Sequence, residues 1–233
     1  MSDYPALLID TSQSALILSL LLPEGRRLDS LDLNPQIAPN QHASRFFPVL
    51  EELLAQAKLG ISDIRGLALN TGPGSFTGLR VGLTFARMFV RFATQPIGCA
   101  VLNPFELFAA TSALRGKRVM ILMNAYRGQH YQAVLSIAES GEMTWLQHPE
   151  TKLNAEFSGL GDSEACVLDE SMQTLLPLEA HQYVLSKDLM PSIPEAMQFL
   201  LTAQSERFHS DASVLLPNYM QQPHITVSKS AVK

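Results

Sequence analysis

The feature that most constrains this chain is a glycine-rich turn that opens an apolar helix. The turn and the start of the helix read Gly72-Pro-Gly-Ser-Phe-Thr-Gly-Leu-Arg-Val-Gly82, and they follow a strand-like run at residues 66–70. A strand, a Gly/Pro turn and a helix in this order can direct backbone N–H groups and a helix N-terminus at an anion. The same glycines can instead let two pieces of backbone approach closely. The residues alone leave both interpretations open.

The glycine pattern fits neither of the two common nucleotide-binding motifs. No lysine follows the glycines at the spacing of a P-loop, and Gly72, Gly74 and Gly78 are out of register with the dinucleotide fingerprint. Glycines 74, 78 and 82 and Ala86 recur with the i, i+4 spacing of one helix face instead. Because glycine inside a helix costs about 1 kcal/mol relative to alanine, we expect close approach of another helix to compensate.

The helix is predicted over residues 76–92, with Ser75 as its N-cap, and its apolar arc is wide. Gly78, Gly82 and Ala86 share one face, opposite a face that carries arginines. Both flanks are apolar as well, with Leu79, Leu83 and Val90 on one and Val81, Phe85, Met88 and Phe92 on the other. The arc covers more of the circumference than packing on one sheet requires. We therefore expect this helix to meet a partner.

Composition narrows the class of protein. The chain has 233 residues, 46% of them hydrophobic and 17% charged, so some apolar surface is expected to meet a partner. A net charge of -5 argues against a nucleic-acid binder that works alone. The apolar runs are too short for a bilayer, the first residues lack a signal-peptide pattern, and Cys99 and Cys166 form no disulfide or metal pattern. We expect a cytoplasmic protein without membrane contact.

Hydrophobic patterning predicts two successive α/β units. The first begins with two hairpin-linked strands after an acidic turn, as actin-like ATPase domains do, and it comprises strands at 6–9, 15–22, 27–33, 66–70 and 95–101 and helices at about 42–59 and 76–92. The second comprises strands at 118–123, 130–137, 143–146, 165–168 and 182–185 and a helix at 194–204. We predict an N-terminal lobe at residues 1–102 and a smaller C-terminal lobe at 103–233.

Candidate ligand-binding residues lie at the ends of the first and fourth strands. Asp10 could hold a hydrated Mg²⁺ ion, but Thr11 follows it where actin-like phosphate loops carry glycine, so capping of a turn is an equal alternative. The candidate nucleotide-binding set is Asp10, Thr11, Gly72, Gly74 and Ser75.

No catalytic set and no metal site can be assigned from the residues. Ser75 has no histidine near it in sequence, and no nucleophile, base and orienting group stand out together. His42 is a lone histidine whose helical neighbour four residues on is Phe46, which favours capping or packing over metal binding.

Several segments resemble the bacterial TsaB family, also called YeaZ. The resemblance rests on Leu7-Leu-Ile-Asp-Thr-Ser12, on His42 leading into Phe46-Phe-Pro-Val-Leu50, and above all on the glycine-rich segment 72–82. Asn124-Ala-Tyr-Arg-Gly-Gln-His-Tyr131 and Leu216-Pro-Asn-Tyr219 support it. In the first of these two, Asn124, Tyr126 and Gln129 replace the family's usual Asp, Arg and Glu, so the second lobe diverges.

The resemblance implies an α/β fold of the actin-like ATPase type (ASKHA, ribonuclease H-like), with two lobes that each contain a mixed sheet and flanking helices. It also implies a role in forming N6-threonylcarbamoyladenosine at position 37 of tRNAs that read ANN codons. In that family TsaB is the non-catalytic partner of the transferase TsaD, and the ATPase TsaE completes the assembly. TsaD carries a His-x-x-x-His metal pair where this chain reads His42-Ala-Ser-Arg-Phe46, which favours the scaffold paralogue.

The family pairs through helices of the N-terminal lobe, and this agrees with the wide apolar arc. The expected partner interface comprises His42, Phe46, Leu50, Gly78, Gly82, Leu83, Ala86 and Phe89. ATP or ADP with Mg²⁺ is a candidate ligand at that interface, tRNA is reached through the complex, and a homodimer is the candidate state of the chain alone. The alternative function is an independent nucleotide-binding hydrolase or protease-like enzyme of the same fold.

Overall fold

Two five-stranded sheets follow one another along the chain. The computed structural model describes residues 4–13, 15–32, 42–203, 208–209, 212–218 and 220. In these residues no helix is long and apolar enough to cross a bilayer.

The first sheet has the strand order β3-β2-β1-β4-β5. Its strands are β1 Ala6–Asp10, β2 Leu16–Leu21, β3 Arg27–Asp32, β4 Gly66–Asn70 and β5 Gly98–Leu102. The first three are joined as antiparallel hairpins, while β1 pairs with β4 and β4 with β5 in parallel. Parallel pairing requires long crossover connections, and these contain α1 His42–Ala57 and α2 Phe76–Phe92.

The second sheet has the order β10-β9-β6-β7-β8. Its strands are β6 Arg118–Tyr126, β7 Gln129–Ile137, β8 Met143–Leu153, β9 Ala165–Leu168 and β10 Val184–Leu185. Three helices accompany it: α3 Pro104–Ala109, α4 Ser186–Leu189 and α5 Ile193–Ala203. The strand predicted at 143–146 continues to Leu153 through polar residues and Pro149, which an edge strand tolerates because its outer N–H groups need no partner.

One hydrophobic core joins the two sheets. It contains Leu8 and Ile17 of the first sheet, Ile121 and Leu135 of the second, and side chains of α3 and α5 such as Leu200. The opposite face of the first sheet is covered by α1 and α2. The division into lobes at residue 102 remains a prediction. After α5 the chain returns to the first sheet, where His209 forms an isolated antiparallel β-bridge with Cys99.

Candidate functional site

The turn after β1 is closed by hydrogen bonds to Asp10. Ser12 donates to Asp10 Oδ1 through its backbone N–H and its hydroxyl, each at 2.8 Å. Asn70, at the end of β4, donates through Nδ2 to Asp10 Oδ2 at 2.8 Å. A buried carboxylate needs such donors, and Asp10 is fully buried. The arrangement favours the interpretation of Asp10 as a cap that ties two strand ends together over its interpretation as a Mg²⁺ ligand.

Two N–H groups of the glycine-rich turn donate hydrogen bonds within the protein. Gly72 N–H donates to Asn70 Oδ1 at 3.0 Å, and Ser75 N–H donates to the carbonyl of Ser12 at 2.7 Å. The predicted N-cap is confirmed, since Ser75 Oγ accepts the N–H of Gly78 at 3.2 Å. These donors are the groups that a phosphate cradle would present to an anion. Two N–H groups of the turn are therefore already paired within the protein, one with Asn70 and one with the loop after β1.

The glycine face of α2 is packed against the same loop. A Cβ atom at Gly74 would lie 2.3 Å from the carbonyl oxygen of Ser12, and one at Gly78 would lie 1.8 Å from that of Thr11. At Gly82 it would lie 2.7 Å from Thr11 Oγ1. Thr11 is buried and donates its hydroxyl to the carbonyl of Gly78 at 2.7 Å. Close backbone approach is thus the role of these glycines, but the neighbour is a loop of the same chain.

This packing corrects half of the predicted partner interface. Gly78, Gly82, Leu83 and Ala86 are all buried inside the first lobe, so none of them presents a surface to another protein. Their spacing marks a shared helix face, as the sequence indicated. The segment that covers this face is the loop after β1, which lies more than sixty residues earlier in the chain.

An exposed apolar surface lies on the neighbouring flank of α2, in a groove beside α1. The groove has a volume of about 460 Å³ and is lined by Ala43, Phe46, Phe47, Thr77, Arg80, Val81, Thr84, Phe85 and Met88. Phe47 is 58% exposed and Met88 is 56% exposed. Large apolar side chains gathered at such exposure mark an interaction site more often than a bare monomer surface. We call this set of residues the α1–α2 groove.

Aromatic contacts fix the shape of the α1–α2 groove. Phe46 is 1% exposed and forms its floor, with its ring centroid 4.7 Å from that of Phe85. Phe47 meets Phe46 and Phe85 edge-on at 5.5 and 6.1 Å. These distances are typical of favourable aromatic pairs. The two helices are therefore held at a defined spacing, and the groove between them is preformed.

The remaining predicted interface residues divide between core and surface. Phe46 and Leu50 are buried, while Phe89 is half-buried and lines a second apolar pocket of about 240 Å³ together with Ile61 and Phe92. Residue 42 is the first of α1, and its side chain lies outside the described residues.

The sequence assignment missed Phe47, Val81, Phe85 and Met88 as the apolar lining of the groove. The wide apolar arc was the signal that could have found three of them. Phe47 lies on α1, and its place in the groove could be predicted only from the relative orientation of the two helices.

The cationic side chain Arg80 lines the groove. Helix α2 contains two further arginines, Arg87 and Arg91, and no acidic residue. Arg80 lies over the ring of Phe76, with its guanidinium carbon 5.3 Å from the ring centroid. Arg87 instead donates from Nε to the carbonyl of Leu215 at 2.9 Å. A partner with acidic side chains around an apolar ridge would complement this surface.

A polar cleft of about 410 Å³ lies between the two sheets. Its first-lobe wall includes Ser12 and Ser75, and its second-lobe wall includes Asn124, Tyr126 and Lys187. The divergent residue Asn124 has a structural role here, since its Oδ1 accepts the N–H of Tyr126 at 2.6 Å and its Nδ2 donates to Ser171 Oγ at 2.8 Å. Asn124 thus holds the β6–β7 hairpin tip that borders the cleft.

Burial shifts the pKa of two side chains in the described part of the chain. Burial raises the pKa of the Cys166 thiol to about 12, which keeps it protonated. Burial, and then the nearby Tyr126, raise the pKa of Tyr131. Within residues 4–13, 15–32, 42–203 and the short described stretches beyond, no three His, Cys, Asp or Glu side chains gather as metal ligands.

The two mixed sheets with flanking helices fit the predicted actin-like (ASKHA) fold, and a solved structure has the same fold. YeaZ from Pseudomonas aeruginosa superposes with a TM-score of 0.69 at 20% identity, covering 93% of this chain and 99% of that one. At this identity the likeness concerns the fold, and it confirms the predicted two-lobed architecture.

The family model described as "TsaD: tRNA N6-adenosine threonylcarbamoyltransferase" matches residues 33–221, so the chain belongs to that family. Among curated relatives, the "tRNA threonylcarbamoyladenosine biosynthesis protein TsaB" of Haemophilus influenzae is 35% identical over 97 residues, which is 42% of this chain and 39% of that protein. The protein of the same description from Escherichia coli K12 is 32% identical over 110 residues, 46% of each chain. The chain thus matches less than half the length of these relatives. They confirm the predicted relationship to TsaB and YeaZ.

Proposed function

We propose that this protein acts in tRNA threonylcarbamoyladenosine biosynthesis as a non-catalytic subunit that binds a TsaD-type transferase through the α1–α2 groove. The family match and the names of the relatives support the pathway. The observation that carries the binding role is the exposed, preformed aromatic groove on the first lobe.

The shape of the groove suits a helical partner. An α-helix of 17 residues, the length of α2, is about 25 Å long. Recognition of a helix in a groove uses apolar anchors spaced along such a length. Phe47 and Met88 stand at the mouth of the groove, while Phe46 closes its floor. A partner helix with an apolar ridge would bury the exposed rings and place its acidic flank near Arg80.

The site expected for a nucleotide supports a scaffold rather than an independent hydrolase. Asp10 accepts a hydrogen bond from Asn70, and Ser75 in the glycine-rich turn donates one to the loop after β1. Gly74 and Gly78 lie against backbone carbonyls of that loop. A phosphate group placed between the two loops would have to displace these buried hydrogen bonds, at a cost of about 1–3 kcal/mol for each polar group left unpaired.

The test is a binding titration between this full chain and the TsaD-type transferase of the same organism. Met88→Asp should weaken binding at least about thirtyfold, because a carboxylate at the centre of an apolar interface costs as much as a hot-spot truncation. Its melting temperature should stay close to that of the wild type, since Met88 is 56% exposed. Leu146→Asp is the matched control, as Leu146 is 49% exposed but lies on β8 of the second lobe.

Three outcomes would contradict the proposal. They are no binding of the wild-type chain to the transferase, wild-type affinity in Met88→Asp, and a loss of affinity in Leu146→Asp equal to that in Met88→Asp. Sedimentation of the chain with and without transferase then tests the homodimer, which should compete if it uses the same groove. Calorimetry with Mg-ATP on the isolated chain should show no micromolar binding, and such binding, if Asp10→Ala abolished it, would favour the hydrolase.

A further inference from the structure

The last described stretch of the chain runs along the outer side of α2. We call residues 208–209 and 212–218 the C-terminal strap. At one end, His209 and Cys99 exchange two backbone hydrogen bonds of 2.7 Å near the start of β5. At the other end, Asn218 N–H donates to the carbonyl of Thr71, just beyond β4, at 2.8 Å. The strap therefore spans the first sheet from the beginning of its parallel strands to their ends.

The middle of the strap is anchored on α2. Leu215 has no exposed surface and belongs to the same apolar cluster as Leu79 and Leu83 of α2. Its carbonyl accepts the 2.9 Å hydrogen bond from Arg87 Nε. A hydrogen bond from a charged donor is roughly twice as strong as a neutral one. An apolar anchor and a charge-assisted hydrogen bond thus fix the strap to the flank of α2 that faces away from the groove.

Helix α2 consequently has three supports. The β1 loop and the sheet lie beneath it through Gly78 and Gly82, and α1 contacts one flank through Phe46 and Phe85. The strap covers the other flank through Leu215. The third support comes from Leu215, which lies 128 residues after Arg87 in the chain.

We propose that the C-terminal strap is a positioning element of the α1–α2 groove: it holds α2 on the first sheet from the side opposite the groove. The positioning of α2 is a property of the isolated chain. Its consequence for partner binding rests on the function proposed above.

Hydrogen exchange of the isolated full chain, measured by mass spectrometry, tests the positioning. Leu215→Ala removes the anchor, and Arg87→Gln removes the charge-assisted hydrogen bond. Each variant should accelerate exchange in peptides from residues 79–92 roughly tenfold, the change expected when one such bond is lost. Peptides from β6 and β7 should keep their wild-type rates, which shows that the variant is folded.

Two neighbouring substitutions are the matched controls. Leu216 follows the anchor in sequence but is 62% exposed. Arg91 lies one turn after Arg87 on α2, and no hydrogen bond from it is found in the described part of the chain. Leu216→Ala and Arg91→Gln should leave the exchange of α2 unchanged.

The two cysteines supply a second readout. Cys99 is fully buried at the point where the strap meets β5, and Cys166 is buried in the second lobe. Labelling with a thiol reagent, followed by peptide mapping, should show faster modification of Cys99 in Leu215→Ala and an unchanged rate for Cys166. Equal acceleration at both thiols would indicate global unfolding and would contradict a local role of the strap.

The partner titration completes the test. If Leu215→Ala and Arg87→Gln accelerate α2 exchange and weaken transferase binding while the controls do neither, the inference holds. If exchange in α2 is unchanged in both variants, the strap does not position the helix and the inference fails. If exchange rises but affinity is unchanged, the groove does not depend on the strap. If the wild-type chain binds no transferase, the proposed function fails, and the exchange data still decide whether the strap positions α2.

Discussion

Two adjacent faces of one helix, α2, carry opposite roles in this protein. The face with Gly78 and Gly82 is buried against the loop after β1, with no room for even one added carbon atom. The neighbouring flank carries the large side chains of Phe85 and Met88, which line the open groove beside α1. Small residues here mark contact that is already made within the chain. We propose that the large apolar residues mark contact with a partner.

The comparison shows why a small-residue face was a misleading guide to a partner. Glycines at i, i+4 spacing permit close approach of any backbone, whether helix or loop. The carbonyls of Thr11 and Ser12 occupy the space in this fold. Exposed apolar area is a better indicator of a binding surface, because removing apolar side chains from water stabilises a complex.

The sharpest test of the comparison uses two adjacent phenylalanines. Phe46→Ala should destabilise the chain by about 3–5 kcal/mol, since a fully buried ring leaves a cavity. Phe47→Ala should change stability by less than about 1 kcal/mol and should weaken transferase binding instead. Urea denaturation and a binding titration measure the two effects. Equal loss of stability in both variants would remove the distinction between floor and mouth of the groove.

Gly78→Ala probes the buried face. Alanine favours helix by about 1 kcal/mol, but its Cβ would lie 1.8 Å from the carbonyl oxygen of Thr11. We expect a net loss of about 3 kcal/mol in unfolding free energy. Gly60→Ala is the control, because its Cβ would meet Ser62 Oγ at an ordinary 3.5 Å. A Gly78→Ala chain of wild-type stability that no longer binds the transferase would restore the glycine face as the interface.

Asp10→Asn tests whether the loop beneath the glycine face is structural. The new amide would present a donor where Ser12 or Asn70 now donates to Asp10, leaving one of them unpaired. We expect a loss of about 1–3 kcal/mol in unfolding free energy by urea titration. A change in ligand binding without a change in stability would contradict the role of Asp10 as a structural cap.

Arg80→Ala tests the rim of the groove and should have the smallest effect. Exposed charges contribute less than about 1 kcal/mol each, and they act on association rates more than on dissociation. Stopped-flow measurements should show slower association and a weaker dependence on salt, with little change in stability. Faster dissociation as the main effect would place Arg80 inside the interface rather than at its rim.

Much of the first lobe was predictable because its elements are locally encoded. The predicted strand at 66–70 matches β4, and the helix predicted at about 76–92 matches α2. Both have continuous apolar patterns and clear boundaries at Asn70 and Ser75. The far part of β8 was missed because Pro149 and its polar neighbours give no strand pattern.

The site was less predictable because it depends on contacts between distant segments. A helical wheel shows which residues share a face of α2, but the neighbour of each face comes from residues 11–12, from α1 and from the strap. Phe46 and Phe47 are indistinguishable by composition, and only the orientation of α1 decides which is buried. Leu215 carries no local signal of its contact with Arg87.

The most direct measurement of the central claim is a hydrogen-exchange footprint of the complex with the TsaD-type transferase. The account predicts that peptides from α1 Phe46–Ala57 and α2 Phe76–Phe92 gain protection on binding, while β6–β8 of the second lobe exchange as in the free chain. Protection confined to the second lobe or to the interlobe cleft, with α1 and α2 unchanged, would contradict it.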